Sequence, residues 1–378
     1  MRTKRSRLQK SLADQTAEDC GVHKQMQPAR DDYPRNPTKA LGLVLAHSWN
    51  PIAYQILNPG ILHWFNCTND AVVGYVIANR VRVVAGAPIC RPTILLSVTK
   101  EFEADAKAHG ERVCYFHVGP RFASVLSDSG AHSIACIGSL PYWNPMDWNS
   151  IFKADASLRY QVSRARHKSV TVTELRESVQ VHSFELHNIR QQWLDRKHLP
   201  PLHFLIEPEI FHHLANRRLF VASRAERLIA YLLCSPMPNR HGWLFEQWAH
   251  SDSAPLGTSE LLVHEAMTVF GGEGYREVTM GLAPLSKKGL VSGAPGPLWL
   301  KTMFQFMRLT ANPLYNFKGL DRYKYKFRPH YSEPVYVVVK GRHFSPLNVL
   351  AIAHAFAGSP LQLFAWQTIR KALGLRSQ

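Results

Sequence analysis

Between Leu314 and Tyr331 the chain reads LYNFKGLDRYKYKFRPHY. Lys318, Arg322, Lys324, Lys326 and Arg328 are interleaved there with Tyr315, Phe317, Tyr323, Tyr325, Phe327 and Tyr331, and Asp321 is the one acid among them. Read as an extended strand, the stretch places Tyr323, Tyr325 and Phe327 on one side and Lys324, Lys326 and Arg328 on the other. A ladder of like charges is unfavourable unless an anion or carboxylates neutralise it. The chemistry it suits is the holding of phosphates, each charge-assisted contact being worth roughly 1.5–3 kcal/mol. Arg159 and Arg164, in the basic segment SLRYQVSRARHKS, would join that set. A surface strand with a polar outer face is the plainer alternative.

A second candidate is the loop SAPLGTSELLV, where Gly257 and Thr258 stand before a helix with Glu260 in its first turn. Thr258 is placed to cap that helix, and the open amides of a helix start can hold a phosphate or an acyl oxyanion. Ordinary capping accounts for the same residues. Metal chemistry is not expected: the 19 histidines, His212 and His213 included, have no HExxH or Cys/His framework around them. A GxSxG elbow, a Walker loop and a GxGxxG after a strand are all missing, which argues against a serine nucleophile and against nucleotide hydrolysis.

These residues need a scaffold, and 378 residues at 46% hydrophobic suffice for two cores. The net charge of +17 favours RNA, DNA or acidic lipid headgroups as partners. Six dispersed cysteines, mostly in apolar runs, read as reduced core thiols of a cytoplasmic protein. The basic start MRTKRSRLQK leads into no apolar h-region, so it is not a secretory signal, and no run of about 18 apolar residues predicts a spanning helix. The expected protein is soluble or peripheral.

Four segments are expected. Residues 1–39 form a loosely ordered basic arm and 40–156 a first α/β domain. Residues 157–344 form a second such domain, and 345–378 a helical tail. AVVGYVIANRVRVVAGAPIC reads as a hairpin turning at Ala78-Asn79-Arg80, and RLFVASRAERLIAYLLCSPM as its counterpart in the second half. Each hairpin is followed by helices alternating with strands, a mixed α/β pattern. The tail's second helix sets Leu361, Phe364, Ala365, Ile369, Ala372 and Leu373 on one side, with Arg370, Lys371 and Arg376 near its end. Docking on the domain and lying at a membrane interface both fit that pattern.

Hairpin, third strand, loop at a helix start, fourth strand, helix and last hairpin resemble the acyltransferase fold of Gcn5-related N-acetyltransferases. That resemblance implies tandem acetyltransferase-like (GNAT-like) domains. In this fold the fourth and fifth strands splay apart where the acyl donor enters. Gly281, Pro284 and Ser286, in VTMGLAPLS, mark that strand end, with a structural turn as the alternative. The glycine-rich pyrophosphate loop of acetyl-CoA enzymes is reduced here to Gly257, and Pro255 removes one donor.

GLAPLS, LYNFKGLDRYKYKFRP, SLRYQVSRARHKS and WLDRKHL together resemble the catalytic domain of phosphatidylglycerol lysyltransferases, the synthase part of multiple peptide resistance factors. The resemblance spans roughly residues 40–344. It implies an aminoacyltransferase with a substrate tunnel. Such an enzyme takes aminoacyl-tRNA as co-substrate, needs no further cofactor, and works at the inner face of the membrane. The acceptor is the hydroxyl of an anionic or hydroxylated membrane lipid such as phosphatidylglycerol. Glu246 and Glu260 are then the candidate catalytic carboxylates, as base or as partner of the amino group. Arg159, Arg164, Gly257, Thr258, Gly281, Pro284, Ser286, Tyr315, Lys324, Lys326 and Arg328 are the candidate substrate-binding residues. The family's Asp and Arg before its loop correspond to FEQWAHSDS, which offers Glu246 and His250, and Ala87 replaces an acid after the first hairpin. The family's flippase region is not in the sequence, so translocation is expected to need a separate flippase. An acyl-CoA-dependent N-acyltransferase and a non-catalytic RNA- or lipid-binding protein are the competing readings. The amino acid and the acceptor lipid stay open.

Overall fold

Two antiparallel meanders, each closed by a tight hairpin, are the seeds of the fold. The computed structural model describes residues 35–176, 182–197, 199–209, 211, 214–286, 295–310 and 316–372. The first half runs helix α1 (Pro37–His47), a 3-10 turn (Ala53–Leu57), strands β1 (Leu62–Phe65), β2 (Val72–Ala78) and β3 (Val81–Ala85), helix α2 (Leu95–Ala108), strand β4 (Arg112–Val118), helix α3 (Pro120–Asp128) and strand β5 (His132–Trp143). Helices α4 (Trp148–Ala154) and α5 (Ala156–His167) lead through β6 (Thr171–Glu174) to helix α6 (Ser183–Asp195). The second half continues with strands β7 (Arg218–Arg224), β8 (Arg227–Met237) and β9 (Gly242–His250), helix α7 (Thr258–Gly272), strands β10 (Glu277–Thr279) and β11 (Ala283–Pro284), helices α8 (Leu298–Thr310) and α9 (Phe317–Tyr325), and strand β12 (Tyr331–Lys340). Helices α10 (Pro346–Ala357) and α11 (Leu361–Ala372) follow. The expected arm to residue 39 therefore overlaps the first turn of α1.

The two hairpins use the same device. Asn79 and Arg80 join β2 to β3 with φ of 51° and 58°, and Ala225 and Glu226 join β7 to β8 with φ of 48° and 61°. Two successive left-handed residues match the twist of the strands they connect. Each meander is then followed by a helix and a parallel strand: β4 beside β3 after α2, and β10 beside β9 after α7.

Among the described residues all the strands belong to one sheet, ordered β1-β2-β3-β4-β12-β5-β10-β9-β8-β7-β6, with β11 paired to β5. The halves exchange their last strands. β12 enters between β4 and β5, and β5 pairs instead with β10 of the second half. One apolar cluster covers the first-half strands with Val72, Val83, Ala135 and Val337, joined by Leu300 of α8 and Ala351 and Ala355 of α10. A second, around Phe245, Leu261 and Phe270, packs α7 against the second-half strands and includes Phe327. Cys90, Cys114, Cys136 and Cys234 are buried free thiols, and burial pushes Cys114 up to about 12.

The stretch expected to be an alternating strand is instead a helix from Phe317 to Tyr325, begun by Asn316, whose side chain accepts from Gly319 N. The reason lies in its own spacing: Phe317, Leu320, Tyr323, Lys324 and Phe327 recur at three- and four-residue steps, a stripe that folds onto the core as a helix. The alternation of rings and cations is genuine in the sequence, but the helical period decides the structure.

A candidate active site at the splay of β9 and β10

Strands β9 and β10 pair through only three positions, Gly242 with Glu277, Trp243 with Val278 and Leu244 with Thr279. Beyond them the strands part. β9 carries a bulge, because Gln247 faces Leu233 while Phe245 faces Cys234, leaving Glu246 as the extra residue. After Thr279 the chain turns at Gly281, whose φ of 75° favours glycine, and crosses to β5, where Ala283 and Pro284 pair with Ser139 and Gly138. The expected splay is present, and α9 lies across it. Tyr323 stacks on Trp248 of β9 with ring centres 6.2 Å apart, while Lys324 reaches the opposite wall.

Lys324 corrects the expected outward cationic row. It is only 3% exposed, and its Nζ donates to Gly281 O at 2.9 Å and Leu282 O at 2.7 Å. Burial pulls its ammonium down to about 7, opposed by the charge of Asp321. The two carbonyls take two N–H groups in either protonation state. The third position is an N–H in the ammonium and a lone pair in the amine. His117, at φ 65° in β4, is buried with Nε2 unpartnered among the described residues. Its burial, with a smaller contribution from the Lys324 charge, holds it down to about 4.

Around this lysine the wall is braced. Ser286 donates to Asp321 Oδ1 at 2.8 Å, and Arg308 of α8 contacts both Asp321 at 3.6 Å and the Leu285 carbonyl. Tyr325 shares its hydroxyl with Ser139 and Ser332, each at 2.9 Å. The Phe327 carbonyl accepts from Trp143 Nε1 at 2.7 Å. At the mouth, Lys326 pairs with Glu260 and sits 4.0 Å from the Tyr323 ring centre. Arg328 is largely exposed and pairs with Asp155 at 3.1 Å. Asp155 caps α5, on which Arg159 is exposed and bonds the Lys153 carbonyl, and Arg164 is half-buried. Lys326, Arg328 and Arg159 are thus part-exposed cations near the helix starts, each already holding a protein oxygen. Tyr315 lies outside the described residues.

Thr258 is not the cap of α7. Gly257 holds that position at φ 96°, and the Thr258 hydroxyl donates back to Pro255 O at 2.7 Å. A Cβ on Gly257 would lie 2.1 Å from the Gln161 carbonyl of α5, so this glycine lets the two helices close. Gly257→Ala is expected to cost about 1–3 kcal/mol through the left-handed backbone alone, more with the clash, measured by urea unfolding. An unchanged midpoint would mean that the backbone at this position leaves the left-handed region and that α5 is free to withdraw.

Glu246 and Glu260 belong to separate networks. Glu246 is buried against Arg217 at 3.0 Å and Ser235, and Arg217 also reaches Asn58 at 3.2 Å and lies 4.9 Å over the Tyr54 ring. His250, farther along β9, is tied to Arg196. Sequence reasoning did not single out His117, Arg217 or Arg308. Asp321 was visible as the lone acid of its stretch, which is the signal that could have marked it.

Antiparallel meander, crossing helix, parallel strand and splay define the class: a mixed α/β acyltransferase-like sheet. The chain belongs to the family described as phosphatidylglycerol lysyltransferase, C-terminal, whose model matches residues 43–339. A phosphatidylglycerol lysyltransferase of Staphylococcus xylosus is 24% identical over 284 residues, 73% of this chain and 32% of that protein, so the chain spans about a third of this relative. The C-terminal domain of a putative lysylphosphatidylglycerol synthetase from Agrobacterium fabrum has the same fold, with a TM-score of 0.72 at 20% identity over 86% of this chain and 98% of that one. So does L-PGS from Bacillus licheniformis, with a TM-score of 0.71 at 20% identity over 88% of this chain and 98% of that one.

Proposed function

We propose that the chain transfers an amino acid from aminoacyl-tRNA to a hydroxyl of phosphatidylglycerol or a similar lipid at the inner face of the membrane. The observation that carries this reading is the family match, which runs through both halves of the sheet and across the splay. The charge of +17 suits a polyanionic donor and an anionic acceptor alike. We read the chain as two acyltransferase-like units, 40–156 and 157–344, that exchange their last strands.

The aminoacyl ester is already activated, so the protein's task is to position two substrates and manage one proton and one oxyanion. The lipid hydroxyl attacks the ester carbon, the ribose oxygen leaves with a proton, and the amino acid ends on the lipid. Lys324, fixed by two carbonyls, takes the proton as an amine or donates to the oxyanion as an ammonium. Glu260, held by Lys326 at the mouth, is the carboxylate best placed to meet an amino group, while Lys326, Arg328 and Arg159 hold phosphates. Glu246, enclosed by Arg217 and Ser235, acts by bracing β9 rather than as the base.

Purified chain, charged tRNAs and detergent-dispersed phosphatidylglycerol are expected to give an RNase-sensitive aminoacyl lipid detectable by mass spectrometry. No product with any amino acid and lipid pairing would overturn the reading.

A further inference from the structure

Two stretches of the chain, 278–320 and 334–378, contain no aspartate or glutamate and carry ten lysines and arginines. Among the described residues they supply α8, α10 and α11. Helix α8 turns Leu300, Met303 and Phe304 into the first-half core, and α10 turns in Ala351, Ala355 and Phe356. Both helices pack on the same cluster of strand side chains, so their outer sides look out from the same side of the sheet. Those outer sides are apolar. On α8 Leu298 is 80% exposed and Phe306 64%, on α10 Leu347 is 49% and Leu350 42%, and on α11, which contacts α10, Trp366 is 52% and Ile369 58% exposed. The Arg370 guanidinium lies 4.6 Å from the centre of the Trp366 ring, a pairing of cation and aromatic suited to a headgroup boundary.

No single described helix is long and apolar enough to cross a membrane; α10 and α11 together pass on composition but are bent by 59° at their junction. The inner side of α10 is occupied by the sheet, which leaves it lying along a surface rather than through one. A second copy of this chain would present the same three acid-free helices, so their cations would meet no carboxylate of the same helices across a twofold interface. An anionic bilayer is complementary in both respects, apolar beneath and negative at its surface.

We propose that the outer sides of α8, α10 and α11 dock this protein on an anionic bilayer. Their rings and aliphatic side chains enter the acyl boundary, and Lys301 of α8, Arg342 just before α10 and Arg370 of α11 meet lipid phosphates. The inference rests on the lipid-acceptor reading and adds the face that approaches the lipid. Helix α8 connects that face to the splay, because its Arg308 holds Asp321 and the Leu285 carbonyl.

The test is co-sedimentation of the full chain with phosphatidylcholine vesicles, with and without phosphatidylserine, which is anionic but is not the proposed acceptor. Phosphatidylserine is expected to raise binding at least about tenfold, and added salt to reverse the gain. The triple variant Phe306→Ser, Trp366→Ser, Ile369→Ser changes only exposed side chains and is expected to bind at least about tenfold more weakly. Its transfer to detergent-dispersed phosphatidylglycerol should stay within about twofold of the parent, and its circular dichroism melt should match. Lys301→Glu with Arg342→Glu should remove the phosphatidylserine increment alone. Equal binding by parent and triple variant, or no response to phosphatidylserine, overturns the proposal. So does a dimer that the triple variant dissociates, which would make the face a contact between copies. Binding without any transfer in detergent would instead sink the assigned reaction and leave the docking face standing.

Discussion

Lys324→Met is expected to lower transfer by at least about a hundredfold, the scale of removing one fixed donor at an oxyanion. The loss should fall on kcat more than on KM, because the amine stands at the splay and not among the cations of the mouth. The same variant carries a stability signature that a packing residue would not give. In the folded protein burial brings the lysine to about 7 from 10.5, so over that window the unfolded chain binds more protons. Stability of the parent therefore rises with pH between about 7 and 10.5. Below about 7 both states are protonated and the burial penalty, on the order of 5 kcal/mol, is present in full. Methionine has no such penalty, although it leaves the Gly281 and Leu282 carbonyls unbonded at every pH. The stability difference, variant minus parent, should thus be most positive near pH 6 and decline steadily toward pH 10. Urea midpoints at several pH values measure it, and a difference flat in pH would show that the lysine is not held in this way.

Arg217→Met should be the most destabilising of the single changes proposed. It leaves the Glu246 carboxylate buried without its cation, at a cost of about 3–5 kcal/mol. It also releases Asn58 and the Tyr54 ring, which the guanidinium links to β8 and β9. Adding Glu246→Gln removes the stranded charge, and the double variant should recover more than half of the lost stability. If the single variant melts with the parent, the pair is not the strut between the 3-10 turn and the second-half strands. A double variant as unstable as the single would locate the loss in packing instead.

Local signals were legible where the cause is local. The turn at Ala78-Asn79-Arg80, the glycine before α7 and the strand end at Gly281 are set by backbone geometry within a few residues. The resemblance placed the splay correctly for the same reason, since strand end and helix start are both written in short motifs. The direction of Lys324 is a different kind of fact. Whether a lysine in an apolar stripe points out or in depends on two carbonyls some forty positions away, and nothing within its own stretch records them. Glu246 was singled out for its charge, but its partner Arg217, just before β7, lies 29 positions away, and nothing beside Glu246 records it. Pairing of β12 with β4 and β5 was equally hidden, because PVYVVVK would suit many positions in a sheet.

The exchange of last strands also orders events in time. Val338 lies between Ile134 of β5 and Tyr115 of β4, residues synthesised long before it. Until residues 331–340 leave the ribosome, β4 and β5 must wait with open hydrogen-bonding edges, the arrangement most prone to pairing with other chains. The middle of the sheet is therefore the last part of it to be made. A product halted after α9 would keep both hairpins and the lysine of the splay, yet lack the strand that joins the halves. Such a fragment should need a chaperone for as long as its centre stays open.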